Sequence, residues 1–265
     1  MRYGLPYKGS KNQIAKWLID QLPPAETFVD LFFGGGAVTH AALLSGKYKR
    51  FIINDIDERL PKLFLECAYG KHTVESHPEW ISREEFHRRK ETDAYVALVW
   101  SFGNNGIDYI YGADIEQFKH DYHKAVFLDD TSLLEPYGYK ITSTHQKAVY
   151  DRYLEFNRQI RDIARSDLDS ITRQIEIERL QSLQSLQSLQ SLQSDYREVI
   201  IPDGALIYCD PPYKDTNCGK YDGFDHEAFY EWAAVQDNIY ISEYQMPDDF
   251  IPIANTDKIQ LSAAN

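Results

Sequence analysis

Residues 28–44 read FVDLFFGGGAVTHAALL, and this stretch decides the fold class. The apolar run at 28–32 predicts a short strand, three glycines then break it, and residues 37–44 favour a helix. A second apolar run at 51–53 predicts another strand, which ends at Asn54-Asp55. Strand, glycine loop, helix and strand form a βαβ unit, which is typical of a parallel sheet. We therefore expect an α/β fold.

Further strands are predicted towards the other end of the sequence. Residues 205–209 form an apolar run that stops at Asp210-Pro211-Pro212, and residues 239–242 form another. Between them, residues 224–234 favour a helix with Asp225 as its N-cap.

The middle of the chain, residues 61–198, is charged, aromatic and poor in strand patterns. Within it, residues 145–180 predict a long helix, because apolar side chains between 160 and 175 recur near a period of 3.6. We interpret 61–198 as a helical insertion into a sheet domain made of residues 1–60 and 199–265.

Residues 180–194 are five copies of Leu-Gln-Ser. On a helix each leucine would step about 300° from the last, so the leucines wind around the axis and form no stripe. A two-stranded coiled coil needs a period of about 3.5 residues and is excluded. We interpret the repeat as an expansion that lengthens a tolerated helical connection, and a partner-binding segment is the alternative.

The composition excludes several classes of protein. The chain has 265 residues, of which 43% are hydrophobic, and its 28 basic and 41 acidic residues give a net charge of −13. These values exclude wholesale disorder and a small disulfide scaffold. The acidic balance argues against general nucleic-acid binding, but it is compatible with a DNA enzyme that has a local basic groove.

Targeting and redox signals point to the cytoplasm. No run of about 18 apolar residues occurs, so no membrane span is expected, and the first residues, MRYGLPYKGSK, lack an apolar signal core. Cys67, Cys209 and Cys218 lack metal-ligand spacing and are typical of reduced cytosolic thiols. We expect a cytoplasmic protein without a metal.

The tetrapeptide Asp210-Pro211-Pro212-Tyr213 follows a predicted strand, at the end where ligands bind in open α/β sheets. Two prolines fix φ and remove two N–H donors, which leaves a stiff backbone with carbonyl acceptors. A carboxylate, carbonyls and a tyrosine ring suit a planar amine, which needs acceptors for its N–H groups and a surface for stacking. A plain Pro-Pro turn with Asp210 as a cap is the alternative.

The glycine loop after the first predicted strand suggests a cofactor site. Its glycines allow positive φ and close approach of the backbone to a ligand. The spacing departs from the dinucleotide fingerprint because position 39 is Thr, which favours a cofactor without pyrophosphate. Asp55, 21 residues beyond Gly34, is well spaced to accept from ribose hydroxyls. A flexible turn and a turn-forming Asp are the alternatives.

Near the start of the chain, Tyr7-Lys8-Gly9-Ser10-Lys11 precedes a predicted helix that runs from about Lys11 to Gln21. A lysine beside a glycine turn can reach a carboxylate. Two solvated lysines are the alternative interpretation.

Taken in this order, the N-terminal motif, the Asp30-x-Phe32-x-Gly34-x-Gly36 loop, Asn54-Asp55-Ile56-Asp57 and Asp210 to Tyr213 resemble the Dam-type (D12 class) N6-adenine DNA methyltransferases. The resemblance implies a Rossmann-like sheet that uses S-adenosylmethionine, with residues 61–198 as its target-recognition region. Double-stranded DNA is the implied partner, in a bacterial or phage-infected cell.

The resemblance also implies roles for individual residues. Tyr7 and Lys11 would contact S-adenosylmethionine near its methionine end, and Asp55 would bind its ribose. Asp30, Phe32, Gly34 and Gly36 would cradle it. Asp210 would lie beside the cofactor and, with Pro211, Pro212 and Tyr213, would hold a flipped adenine.

Eight residues of the insertion are candidates for contacts with DNA. Amide side chains can pair with adenine in the major groove, whereas a tight Gly-Asn-Asn-Gly turn is the alternative. Clustered basic side chains can meet phosphates, whereas a salt-bridged surface is the alternative. The amides are Asn104 and Asn105, and the basic residues are Arg88, Arg89, Lys90, Arg158, Arg161 and Arg165.

Two other functions remain open at this level. The same chemistry on another planar amine, such as cytosine N4 or an RNA base, needs a similar constellation. An inactive DNA-binding scaffold would keep the fold without transferring a methyl group. The sequence does not predict the recognition site or the oligomeric state.

Overall fold

The structure is a computed structural model that describes residues 2–73, 75–142, 148–160, 180, 183–213, 223–244, 246–256 and 259–264. The chain divides into two compact units. The first comprises Met1–Gly4, Ser10–Lys62 and Leu180–Asn265, and the second comprises Leu5–Gly9 and Leu63–Arg179.

The first unit is built on a seven-stranded sheet with the order β3-β2-β1-β4-β5-β7-β6. β7 runs antiparallel to both of its neighbours, whereas the ladders from β3 to β5 are parallel. The strands are β1 (Thr27–Asp30), β2 (Arg50–Asn54), β3 (Leu189–Leu192), β4 (Leu206–Cys209), β5 (Ile239–Glu243), β6 (Phe250–Thr256) and β7 (Ile259–Ala264).

Helices accompany the sheet along the sequence. In the first unit they are α1 (Ala15–Gln21), α2 (Ala37–Ser45), α8 (Gln184–Gln187) and α9 (His226–Ala233), and α3 (Arg59–Ala68) begins there and ends in the second unit. The α/β class and the Rossmann-like sheet predicted from the sequence are confirmed.

The two faces of the sheet follow from strand parity. Partners in a parallel ladder point to the same face, and side chains alternate along each strand. Asp30 pairs with Tyr208 in register, and Thr39 of α2 donates to Asp30 at 2.7 Å, so α2 lies on their face. The opposite face carries Val29 and Ile207, which pack in one apolar cluster with side chains of α9.

The strand order reverses between β1 and β4. From β1 the chain proceeds to β2 on one side, and from β4 it proceeds to β5 on the other. Ligands of doubly wound sheets bind in the crevice that opens at the carboxyl ends of strands at such a switch point. The glycine loop follows β1 and the double proline follows β4, so both predicted motifs lie at this point.

Three expectations from the sequence need correction or restriction. The first helix begins at Ala15, because Lys11 to Ile14 form a turn in which the N–H of Ile14 donates to the Lys11 carbonyl. Of the helix expected over 145–180, Val149–Gln159 is helical, and residues 161–179 lie outside the described residues.

The Leu-Gln-Ser repeat is the third case. The prediction of a helical connection is wrong for Leu189–Leu192, which form β3. The edge of β2 that faces β3 offers backbone partners that a period-three sequence can use, since a strand needs backbone pairing more than an apolar stripe. The division into a catalytic domain and a target-recognition insertion stays a prediction.

The described part of the second unit is mainly helical. Its helices are α4 (Arg83–Arg89), α5 (Ala94–Val99), α6 (Glu116–Leu128) and α7 (Val149–Gln159). Their packing buries large aromatic side chains, among them Trp100, Tyr122 and Phe156. An isolated bridge joins Ser101 to Tyr109 and closes a tight loop.

Candidate active site

The Asp210 carboxylate lies at the carboxyl end of β4 and has a different partner on each oxygen. Lys11 Nζ donates to Oδ2 at 2.7 Å, and Ser242 Oγ donates to Oδ1 at 3.0 Å. The Lys11 and Asp210 side chains are 11% and 19% exposed, so this ion pair is partly shielded from water. The structure thus brings together two residues that are 199 positions apart in the sequence.

The Tyr213 ring lies beside this ion pair. Lys11 Nζ is 4.6 Å from the ring centroid, and the Tyr244 ring meets Tyr213 edge-on at 4.5 Å. Burial, followed by the charge of Asp210, raises the pKa of Tyr213 far above its usual range, so the phenol is neutral at any physiological pH.

The double-proline turn is held from the other side by α9. His226 Nε2 donates to the Pro212 carbonyl at 2.8 Å. Asp225 caps the same helix by accepting from the N–H of Ala228 at 3.0 Å, which confirms its predicted role. The helix therefore fixes the backbone on which Asp210 and Tyr213 stand.

The glycine loop after β1 is tied to the end of β2. Gly34 and Gly36 adopt φ of 52° and 69°, which favour glycine. The N–H of Gly34 donates to Asp55 Oδ2 at 2.7 Å, and the N–H of Asp57 donates to Asp55 Oδ1 at 2.9 Å. Two backbone donors thus hold a buried carboxylate next to the loop.

Asp30 carries a buried carboxyl group in the same region, and this residue is only 1% exposed. Burial, together with the charges of Asp210 and Asp55, raises its pKa to about 7, against the opposing hydrogen bond from Thr39. Its Oδ1 has no hydrogen-bond partner among the described residues. Buried acceptors are normally hydrogen-bonded, so this oxygen is suited to a donor that a ligand supplies.

Phe32 lies on the apolar side of the site. Its ring packs 5.5 to 5.8 Å from the rings of Tyr196, Phe224 and Phe229. This packing accounts for an aromatic residue at position 32, and its predicted contact with a cofactor stays a prediction. Tyr7 belongs to the second unit, and its predicted cofactor contact also stays a prediction.

The two asparagines of the second unit form a turn. Asn104 has a φ of 57°, and its Nδ2 donates to the Leu98 carbonyl at 2.7 Å. Asn105 Oδ1 accepts from the N–H groups of Ile107 and Asp108. The backbone role considered in the sequence analysis therefore exists, and base recognition by these amides stays a prediction.

The basic candidates of the second unit are engaged with neighbouring groups. Arg88 pairs with Glu85, Arg89 with Asp93 and Arg158 with Glu155, while Lys90 Nζ donates to the Ile107 carbonyl. Ion pairs at or near the surface, such as those of Arg88 and Arg158, exchange readily with other partners, and contacts of these basic residues with phosphate stay a prediction. Arg161 and Arg165 lie outside the described residues.

The sequence analysis assigned no role to Ser242, Thr39 or His226. Each contacts a predicted site residue through a hydrogen bond of 3.0 Å or less. Ser242 reaches Asp210 through the register between β4 and β5. No spacing within the sequence reveals that register.

The described residues contain neither a membrane-spanning helix nor a cluster of metal-binding side chains. No helix there is long and apolar enough to cross a membrane. Within the same residues, no group of three or more His, Cys, Asp or Glu side chains is arranged to hold a metal ion.

The sequence also matches a known protein family. The model of the family described as D12 class N6 adenine-specific DNA methyltransferase matches residues 7–245. The match spans both the glycine loop and the double-proline turn. A search of curated proteins finds no match to the sequence.

Proposed function

The chain belongs to the family of D12 class N6 adenine-specific DNA methyltransferases, and we propose that it transfers a methyl group from S-adenosylmethionine to N6 of an adenine flipped out of double-stranded DNA. One observation carries this proposal. The glycine loop and Asp210 to Tyr213 follow adjacent parallel strands, in which Asp30 pairs with Tyr208. A donor and an acceptor of a methyl group need that proximity.

The residues at the switch point fit S-adenosylmethionine. This molecule carries an ammonium group, two ribose hydroxyls and a positively charged sulfonium, all of which favour acceptors or negative charge. Asp30 offers a buried Oδ1 without a described partner, and Asp55 is held beside a glycine loop in positive-φ geometry. We assign cofactor binding to Asp30, Gly34, Gly36, Asp55 and Lys11, the last of which pairs with Asp210.

The bound cofactor would supply an electrophilic methyl carbon, and the chain's own residues would prepare the nucleophile. The exocyclic amine of adenine is a poor nucleophile, because its lone pair is conjugated into the ring. Asp210 and the Pro211 carbonyl would accept its two hydrogens and favour a pyramidal nitrogen. Positioning and electrostatics then supply the rate, without a covalent enzyme intermediate.

Lys11 and Tyr213 would complete the adenine site. Lys11 balances the charge of Asp210 at 2.7 Å, and its ammonium must yield Oδ2 when the amine arrives. Tyr213 provides a neutral aromatic surface for stacking, which is worth roughly 1–3 kcal/mol per base. Residues 61–198 would recognise the DNA target, with the asparagines and basic residues named above as candidates.

The test is expression in a methylation-deficient host, followed by mapping of modified bases along the DNA. We expect N6-methyladenine at a short recurring sequence. We also expect that Asp210→Ala abolishes methylation while the protein stays folded. Asp203→Ala is the matched control, since Asp203 is an exposed carboxylate in the turn before β4. Substantial turnover by the Asp210 variant would remove this residue from the mechanism.

Two outcomes would favour the alternatives. N4-methylcytosine or a modified RNA base in the same host would keep the chemistry and change the substrate. Absence of any modification, with no thermal stabilisation by S-adenosylmethionine, would favour an inactive scaffold. A ligand at 100 times its Kd should stabilise the folded state by about 2.7 kcal/mol, which a melting experiment detects readily.

A further inference from the structure

The two oxygens of Asp210 are held in different ways. Oδ2 accepts from Lys11, whose long side chain is partly exposed and has two further N–H donors. Oδ1 accepts from Ser242, which is 0% exposed. One oxygen therefore has an exchangeable partner, and the other has a fixed one.

Ser242 is in turn bonded to Tyr208. The two hydroxyl oxygens are 2.8 Å apart. A serine hydroxyl has a single hydrogen, and Ser242 donates it to Asp210, so Tyr208 must donate to Ser242. Burial raises the pKa of Tyr208 well above its usual value, which keeps the phenol protonated and able to donate.

This chain of hydrogen bonds is built into the sheet. Tyr208 pairs with Tyr240 in the parallel β4–β5 ladder. Since side chains alternate along a strand, Tyr208, Asp210 and Ser242 all project from the same face. The direction of the bonds from a neutral phenol to a carboxylate lets each one strengthen the next.

We propose that Ser242 and Tyr208 are positioning residues, which fix Oδ1 of Asp210 and thereby leave Oδ2 as the oxygen that accepts from the target amine. The inference rests on the proposed function and deepens it. Without the donor from Ser242, the carboxylate loses one of its fixed contacts and can rotate about its Cβ–Cγ bond towards Lys11. The productive orientation towards the amine then becomes one of several.

The experiment compares single-turnover methylation by Ser242→Ala, Ser242→Cys, Tyr208→Phe and the double variant, each below its own unfolding temperature. We expect Ser242→Ala to lower the methyl-transfer rate by about 10- to 100-fold, as small misplacements do. The Kd for S-adenosylmethionine and for DNA should stay within about 3-fold, because Ser242 acts on the orientation of Asp210 and is assigned no contact with either ligand. Ser242→Cys keeps the volume with a weaker donor and should give an intermediate rate.

The transfer rates of the Tyr208 variants distinguish a positioning role from a merely structural one. If Tyr208 acts through Ser242, Tyr208→Phe alone should slow transfer by a few fold, and it should add nothing in the Ser242→Ala background. Ser262→Ala is the matched control: this serine is also 0% exposed, lies opposite Ile241 in β7, and has Gln260 as its described partner. Its rate should equal that of the wild type.

Three results would overturn the inference. They are a Ser242→Ala rate within about 2-fold of the wild type, equal losses in rate and in both binding constants, and additive effects of the two substitutions. A wild-type chain that transfers methyl groups in those assays would leave the proposed function intact. A wild-type chain without transfer would overturn both, because no reaction would remain for these residues to serve.

Discussion

At the scale of single residues, Asp30 links the stability of the protein to pH. Its pKa is about 7 in the folded state, raised mainly by burial, and 3.8 in the unfolded chain. Below pH 3.8 both states hold the proton. As the pH rises towards 7, the unfolded state releases it first, so the folded state loses stability, and above pH 7 the loss is complete.

The substitution Asp30→Asn tests this linkage. It keeps an acceptor for Thr39 and removes the charge. The free energy of unfolding of the variant, relative to that of the wild type, should therefore be about 3 kcal/mol higher at pH 8 than at pH 5. Urea unfolding of both proteins without cofactor at the two pH values measures the change. A difference that does not vary with pH would contradict the assignment. The variant should also bind S-adenosylmethionine more weakly.

Gly36 and Gly46 form a natural pair for testing the cofactor loop. They flank α2 with φ of 69° and 70°, so an alanine suffers the same backbone strain at either position, about 1–2 kcal/mol. A Cβ at Gly36 would come within 2.3 Å of the Phe33 ring, whereas a Cβ at Gly46 has no atom within 4 Å. The comparison therefore separates strain from displacement of the loop.

We expect Gly36→Ala to weaken S-adenosylmethionine binding by at least about 10-fold, since the loop or the Phe33 ring must move to admit the Cβ. Gly46→Ala should lower the free energy of unfolding and leave that affinity unchanged. Calorimetric titration and denaturant unfolding of both variants measure the two effects. Equal affinity losses would mean that α2 as a whole, and not the loop, determines binding.

At the scale of helices and strands, apolar runs and caps in the sequence were sufficient to predict most elements of the first unit that lie outside the repeat. β1, β2, β4, β5, α2 and α9 lie within about two residues of their predicted bounds, because each has an apolar pattern that ends at a glycine, a proline or a polar cap. The glycine loop and the double proline were each predicted to follow a strand, and they follow the adjacent parallel strands β1 and β4.

The parts that the sequence did not reveal depend on tertiary partners. β3 consists of Leu-Gln-Ser-Leu, which has no apolar run, and it is a strand because its backbone pairs with β2. Ser242 contacts Asp210 only through the β4–β5 register. The raised pKa of Asp30 needs its burial and two carboxylates brought from distant positions.

The sequence of β3 and its flanking residues recurs within the Leu-Gln-Ser repeat. Residues 188–194 read SLQSLQS, and their side-chain contacts with the β2 region depend on that order, whereas their backbone hydrogen bonds do not. Ser188 Oγ donates to the Lys49 carbonyl, Leu189 lies opposite Phe51, and Ser194 exchanges backbone hydrogen bonds with the Asn54 amide. Residues 185–191 have the same seven letters, so they reproduce each contact type.

At the scale of the whole molecule, this repeat begins where the chain returns from the second unit to the first. Leu180 is the first residue after Arg179, with which the second unit ends. The copies nearest Asp195 form the strand, and the earlier copies precede it. A change in copy number by whole units therefore alters the length of the connection while the strand keeps the same residues.

Two deletions within β3 test this reasoning. Deletion of Leu189–Ser191 removes three residues but regenerates SLQSLQS before Asp195, so every partner of the Lys49–Ile56 segment is restored. Deletion of Gln190–Ser191 removes fewer residues but leaves LQSLLQS, which puts Gln opposite Phe51 and Leu in the place of Ser188. The smaller deletion should thus be the more harmful one.

We expect the three-residue deletion to change the free energy of unfolding by less than about 0.5 kcal/mol and to leave methylation largely intact. The two-residue deletion should cost roughly 1–2 kcal/mol, through the lost leucine contact and the lost Ser188 hydrogen bond. Urea unfolding ranks the two proteins, and a greater loss in the three-residue deletion would show that chain length, and not register, limits this edge of the sheet.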